Sequence, residues 1–240
     1  MEMAQKKLLQ QVLNEARERA KRGGEPLRLA LDIDSTLVDV APRIEAILNE
    51  FAQAKASEFP SETARLLGFR MQPEDYGFQK TLARLGLEKA SQEFYDTLHD
   101  FWASRFFSNE YLHHDRPYEG SVEFVLEAAR SAQITYLTGR DVDRMRIGTI
   151  KSFSRLGFPV AGPRIEFALK PHRDLEDAAF KRDFLRNTPG PTWFFDNEPE
   201  NICRVVEACP HVRVVFFESV RLGDHPLPEG IPSIRSFRWN

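Results

Sequence analysis

Two carboxylates, Asp32 and Asp34, follow the apolar run Leu27 to Leu31 with one residue between them. An ionised carboxylate withdrawn from water is costly unless a cation or hydrogen-bond donors compensate it, and a divalent metal is the simplest compensation. On an extended strand alternate residues share a face, which sets Asp32 and Asp34 together and Ile33 opposite; beyond the strand end that parity no longer binds Asp34. A plain turn capped by Asp34, Ser35 and Thr36 is the bland alternative. Further reactive types recur downstream in Thr138-Gly139-Arg140, Lys170, Lys181 and Asp196-Asn197-Glu198. Together they suit one task, with carboxylates holding Mg²⁺ while a hydroxyl, backbone N–H groups and an ammonium hold phosphate oxygens. The metal would lower repulsion between an anionic nucleophile and an anionic substrate.

Such residues need a frame that gathers them. From Gly120 the apolar spacing alternates between helical and strand periods, predicting strands at Gln133–Leu137, Arg164–Leu169, Thr192–Phe195 and Val212–Phe217, with helices between them. With Leu27–Leu31 these make a parallel sheet covered on both faces, which binds ligands outside the carboxyl ends of its strands. The reactive residues fall at those ends. The tail past Pro226 reads as an irregular wrap with one edge strand at most. Ahead of the first strand, Leu9, Val12, Leu13, Ala16 and Ala20 recur at helical spacing, which predicts a helix docked on the core.

Between Asp39 and Pro117 the pattern is helical throughout, with no convincing strand. The stripe Phe94, Leu98, Phe101, Trp102 and Phe106 reads as the core of a small helical unit rather than a cofactor box. His113 and His114 read as solvated linker residues.

Lys and Arg number 33 against 36 Asp and Glu, a formal net charge of −3, which argues against a nucleic-acid partner held by a global basic field. The helix carrying Arg140, Arg144, Arg146 and Lys151 is diluted by Asp141 and Asp143. The two cysteines, Cys203 and Cys209, read as core thiols, too few and too close for a disulfide framework. No apolar run reaches membrane-spanning length, so the expectation is a cytoplasmic protein with no membrane partner.

The motifs taken together resemble the haloacid dehalogenase superfamily. Asp32-Ile33-Asp34-Ser35-Thr36 is similar to its DxDx(T/V) signature and Tyr136-Leu137-Thr138-Gly139-Arg140-Asp141 to its second motif. Lys181 would be the third, and Asp196-Asn197-Glu198-Pro199-Glu200-Asn201 the fourth. The resemblance implies an α/β fold, a Rossmann-like parallel-sheet core over 1–41 and 117–240, with residues 42–116 inserted as an all-α C1-type cap. It implies an enzyme, a Mg²⁺-dependent phosphomonoester hydrolase acting on a small phosphorylated metabolite. Asp32 would attack phosphorus to form an aspartyl-phosphate, and Asp34 would protonate the leaving oxygen and then activate water. Thr138, Gly139 and Lys181 would bind phosphate oxygens, while the Asp32 and Asp196 carboxylates and the Asp34 carbonyl would hold Mg²⁺. An acid at position 34 favours phosphate-ester chemistry, because members acting on carbon–halogen or carbon–phosphorus bonds lack it.

Two points stay open at the level of sequence. Lys170 competes with Lys181 as the phosphate lysine, and Asn197, Glu200 and Asn201 compete to support the metal. Substrate choice would rest on the cap, where Arg43, Arg70, Gln72, Tyr76, Lys80 and Arg105 are candidates. Rival readings are a phosphotransferase or mutase, a polynucleotide end-phosphatase, a receiver-type signalling module and a non-catalytic phosphate-binding protein; the Asp32-x-Asp34 spacing and the helical insert argue against the receiver.

Overall fold

The structure, a computed structural model, describes residues 2–72, 75, 77–221 and 225–240. The chain begins with helix α1 (Glu2–Arg22) and strand β1 (Arg28–Leu31), followed by the short strand β2 (Val38–Asp39). Four helices follow: α2 (Ala41–Ala54), α3 (Pro60–Leu66), α4 (Phe78–Arg84) and α5 (Gln92–Phe106). A 3-10 turn at Tyr111–His114 leads to β3 (Arg116–Pro117) and α6 (Ser121–Ala129). Then strands and helices alternate as β4 (Gln133–Asp141), α7 (Val142–Leu156), β5 (Ile165–Lys170), α8 (Asp177–Arg186), β6 (Thr192–Asp196), α9 (Pro199–Ala208) and β7 (Val212–Phe217), and β8 (Ser233–Ile234) closes the series.

Six strands form one parallel sheet in the order β5-β4-β1-β6-β7-β8. β1 lies in the interior with Leu29, Ala30 and Leu31 fully buried, as a parallel strand covered on both faces must be. Strand parity divides the core. Leu29, Leu31, Trp193 and Phe195 meet α1 through Leu9, Val12 and Leu13, and α6 through Phe124. Ala30 and Phe194 point the other way, to Leu185 of α8 and to Ile202 and Val205 of α9. Asp32 and Asp196 continue the even-numbered face, so they emerge on the side that α8 covers.

The insert α2–α5 gathers around its own apolar cluster, in which Phe51 meets Phe94 edge-on at 5.8 Å and Phe59 meets Phe94 at 5.4 Å. The sequence predicts no strand between Asp39 and Pro117. The structure places a two-residue antiparallel ribbon at its borders, Val38 opposite Pro117 and Asp39 opposite Arg116. Two-residue strands leave no periodic signature. β4 also runs beyond its predicted end at Leu137, to Asp141, through an irregularity after Thr138. The docked helix and the edge strand are present, although Ala20 is exposed and Cys203 is only half-buried while Cys209 is buried. Among the described residues no helix is long and apolar enough to cross a membrane.

Candidate active site

β4, β1 and β6 are neighbours in the sheet, so their carboxyl ends form one edge. Past β1 the ladder continues for one residue, with Asp32 N–H donating to Phe195 O at 2.9 Å. The chain then turns sharply. Ile33 O accepts from the N–H groups of Thr36, Leu37 and Val38, and Ser35 takes φ = +59°, a left-handed conformation that a non-glycine residue adopts at some cost. This turn frees Asp34 from strand parity.

Two charge clusters result. In the first, Lys181 Nζ of α8 donates to Asp32 Oδ1 at 2.6 Å and to Asp196 Oδ2 at 2.7 Å. Thr36 Oγ1 donates to Asp32 Oδ2 at 3.0 Å and reaches Asn197 Oδ1 at 3.2 Å. Asn201 Nδ2 and Glu198 N–H complete the shell of Asp196 at 3.1 and 2.7 Å. All three charged groups are buried. Burial pushes the Asp32 carboxyl up to about 7, with Asp196 adding to the rise and Lys181 opposing it. Burial would weaken the Lys181 ammonium, but Asp196 and Asp32 outweigh it and raise its value.

The second cluster surrounds Asp34. Arg140 Nε donates to Asp34 Oδ2 and Arg140 Nη2 to Oδ1, both at 2.8 Å, while Arg43 Nη2 donates to Oδ1 at 2.5 Å. Both guanidiniums also hold Asp115, Arg43 through Nε and Nη2 and Arg140 through Nη2, each at 2.8 Å. Arg43, Asp115 and Arg140 are almost fully buried. Burial acts to raise Asp34, yet Arg140 and Arg43 overcome it and hold the carboxyl well below the usual carboxylate range. Arg140 therefore pairs with neither Asp141 nor Asp143; Asp141 instead caps α7 and pairs with Arg144.

The remaining candidates separate clearly. Thr138 is buried at the same edge, its Oγ1 accepting from Arg140 N–H at 3.2 Å. Gly139 packs so closely on Asp177 that a Cβ would collide with that carboxylate. Lys170 stands apart, bonded to Asp177 at 2.6 Å and to the Leu175 carbonyl at 2.8 Å. Glu200 pairs with Arg204 at 3.6 Å, whereas Asn201 reaches Asp196. Asn197 donates to Val220 O at 2.7 Å.

A cavity of about 310 Å³ opens over this edge, floored by Asp32, Asp34, Thr138 and Lys181 and roofed by the insert. Of the insert's polar candidates among the described residues, Arg43 touches the site, bonded to Asp34. Arg70 pairs with Glu45 and Arg105 with Glu50, Gln72 and Lys80 are exposed, and Tyr76 lies outside the described residues. The aromatic stripe divides between two tasks. Phe94 lies in the insert's core, Leu98 belongs to that core and also borders the cavity, and Trp102 and Phe106, farther along α5, line the cavity.

Asp32 and Asp196 aim one oxygen each at a single cationic nitrogen. Two hard carboxylate oxygens converging on one positive centre fit Mg²⁺, which prefers oxygen ligands. Among the described residues no group of three or more His, Cys, Asp or Glu side chains stands ready as a metal site, so a main-chain carbonyl and water would have to complete the shell.

No family model and no curated protein matches the sequence. Solved structures do match the fold. A HAD-superfamily hydrolase of subfamily IA from Geobacter sulfurreducens is 14% identical, with 88% of this chain and 92% of that one covered and a TM-score of 0.56. CbbY from Rhodobacter sphaeroides in complex with phosphate is 16% identical over 88% and 94%, at 0.50. A haloacid dehalogenase-like hydrolase from Xanthomonas campestris is 14% identical over 88% and 91%, also at 0.50. The chain shares the fold of these solved structures, an α/β sheet core bearing a helical insertion.

Proposed function

We propose that this chain is a Mg²⁺-dependent phosphomonoester hydrolase of the haloacid dehalogenase type, with residues 1–41 and 117–240 as catalytic core and the helical insert 42–116 as a cap over the site. The observation that carries the reading is the bridge of Lys181 between Asp32 and Asp196 at the floor of the cavity. A nucleophilic carboxylate, a cation for phosphate oxygens and a second carboxylate for a metal meet there, on the edge where parallel sheets bind ligands. That the similarly folded CbbY is a complex with phosphate agrees with this.

Asp32 Oδ attacks phosphorus as the P–O bond to the alcohol breaks, leaving an acyl-phosphate on Asp32. Water then attacks phosphorus, releasing inorganic phosphate and restoring the carboxylate. Lys181 and the Thr138 hydroxyl neutralise and orient the phosphate oxygens. Mg²⁺ bound by Asp32, Asp196 and the Asp34 carbonyl would add positive charge against the substrate dianion. Asp34 is an anion in this arrangement. To donate a proton to the leaving oxygen it must first exchange its arginine partners for that proton, which ties the acid step to Arg140 and to Arg43 of the insert.

The test is phosphate release from p-nitrophenyl phosphate and a panel of small phosphomonoesters, with Mg²⁺ and with EDTA. The expected result is turnover that EDTA removes and that Asp32→Asn lowers on the order of 10³-fold or more. Turnover unaffected by Asp32→Asn would defeat the reading.

A further inference from the structure

The floor and the roof of the cavity differ in chemistry. The floor carries charge, whereas among the described residues the insert's share of the lining is mostly apolar: Asp75 and Thr81 are already engaged, and the Trp102 indole N–H is the one further side-chain donor. Asp75 accepts from Arg84 Nε at 2.5 Å, from Arg84 Nη2 at 2.6 Å and from Gln72 N–H at 2.7 Å. Thr81 Oγ1 donates to the Asp75 carbonyl at 2.5 Å. Among the described residues that wall offers few partners to the hydroxyls of a sugar or polyol leaving group, and each one left unpaired costs about 1–3 kcal/mol. Among the described lining residues that wall carries no Lys or Arg side chain to meet a second anionic group.

What the roof does offer is aromatic. Phe78 meets Trp102 edge-on at 5.1 Å, Trp102 stacks on Phe106 at 4.7 Å, and Phe106 meets Phe107 at 5.1 Å. All four rings are only half-buried because they face the cavity. This apolar surface gains stability when a ligand covers it. An apolar cavity of about 150 Å³ accommodates a benzene-sized molecule, so 310 Å³ leaves room for a ring and a phosphate together.

We propose that the substrate is a phosphomonoester of an apolar, ring-bearing alcohol whose ring packs against Phe78, Trp102, Phe106 and Phe107 while its phosphate meets Lys181 and Thr138. The proposal rests on the phosphatase reading above, and its test separates the two. Benzylphosphonate and 2-hydroxyethylphosphonate share a phosphate-like head that cannot be hydrolysed and differ in the group the roof must receive. In calorimetric titrations of the Mg²⁺-loaded protein, benzylphosphonate should bind about tenfold more tightly or better. Trp102→Ala should shrink that ratio about fivefold, and Phe78→Gln provides a second variant if Trp102→Ala does not fold by circular dichroism. Benzyl phosphate should likewise exceed 2-hydroxyethyl phosphate in kcat/KM, the two being alkyl esters. Equal affinity for the phosphonates, or a preference that neither substitution moves, overturns the proposal. Equal turnover of the two esters overturns it and leaves the phosphatase reading intact. A preserved phosphonate preference without phosphate release supports the apolar subsite and sinks the phosphatase reading alone.

Discussion

Asp32 and Asp34 stand two residues apart on one turn, yet they sit in opposite electrostatic settings. Around Asp32, two buried carboxylates share the single ammonium of Lys181. Around Asp34, two carboxylates share two guanidiniums, with Asp115 as the second acid. The first cluster is short of positive charge and the second is balanced. Burial acts to raise both carboxyls; with one ammonium to oppose it Asp32 is pushed up to about 7, while Arg140 and Arg43 hold Asp34 well below the usual range. Residue type does not set acid strength here; the count of cations within reach does. An undercompensated site invites a cation or ligand, whereas a compensated one is a structural clamp, here joining the sheet edge to the insert.

The contrast is broken most severely by removing a guanidinium. Arg140→Met strands Asp34 and Asp115 with one partner, and should cost about 3–5 kcal/mol in urea denaturation whether or not Mg²⁺ is present. Lys181→Met should instead be rescued in part by Mg²⁺, since a divalent cation can take up the same two oxygens. Identical responses of the two variants to Mg²⁺ would erase the distinction between the clusters.

The pH dependence of stability sharpens it. Asp34 has a folded-state value below its ordinary 3.8, so the folded protein binds fewer protons there than the unfolded chain. Its contribution is present above about pH 4 and is lost as the pH falls further. Asp32 is raised from 3.8 to about 7, so in the metal-free protein its contribution has the opposite sign and stability declines as pH rises from about 4 to 7. Denaturation in EDTA across that range should show this decline in the native chain and not in Asp32→Asn. A smaller effect is expected from Arg43→Met. With one guanidinium gone, Asp34 should titrate about one pH unit higher or more, moving the acid limb of kcat/KM upward. An unmoved limb would show that Arg43 holds only Asp115.

Much of this frame is legible in the chain, for identifiable reasons. Continuous apolar runs such as Leu29 to Leu31 and Trp193 to Phe195 mark buried parallel strands, and adjacent strands bring Asp32, Thr138 and Asp196 to one edge. Lys170 and Lys181 are equivalent by residue type; they separate only because α8 packs on the even-numbered face of β1 and β6. The Asp34 clamp has no local signal. Arg43 and Asp115 are 72 residues apart, one on a helical face and one beside a polar linker, and only folding shows that they are buried together. Helical spacing likewise marks Phe94 and Trp102 as one stripe, but it cannot say where along α5 the insert's core ends and the cavity begins.

The ribbon of Val38–Asp39 against Arg116–Pro117 has a bearing on how such a chain can change. The insert leaves the sheet and returns to it through two residues lying side by side, so its end-to-end span is fixed whatever lies between. A longer, shorter or differently folded excursion grafted at that ribbon would alter loop-closure entropy by only about 0.6 kcal/mol per doubling of length and leave the strand register untouched. The exception is Arg43, which would have to be kept or replaced by another cation. The chain is thus modular at the ribbon and tethered at one arginine, and a chimera that exchanges residues 41–114 while retaining that arginine, and so leaves its partner Asp115 in place, is the graft the geometry favours.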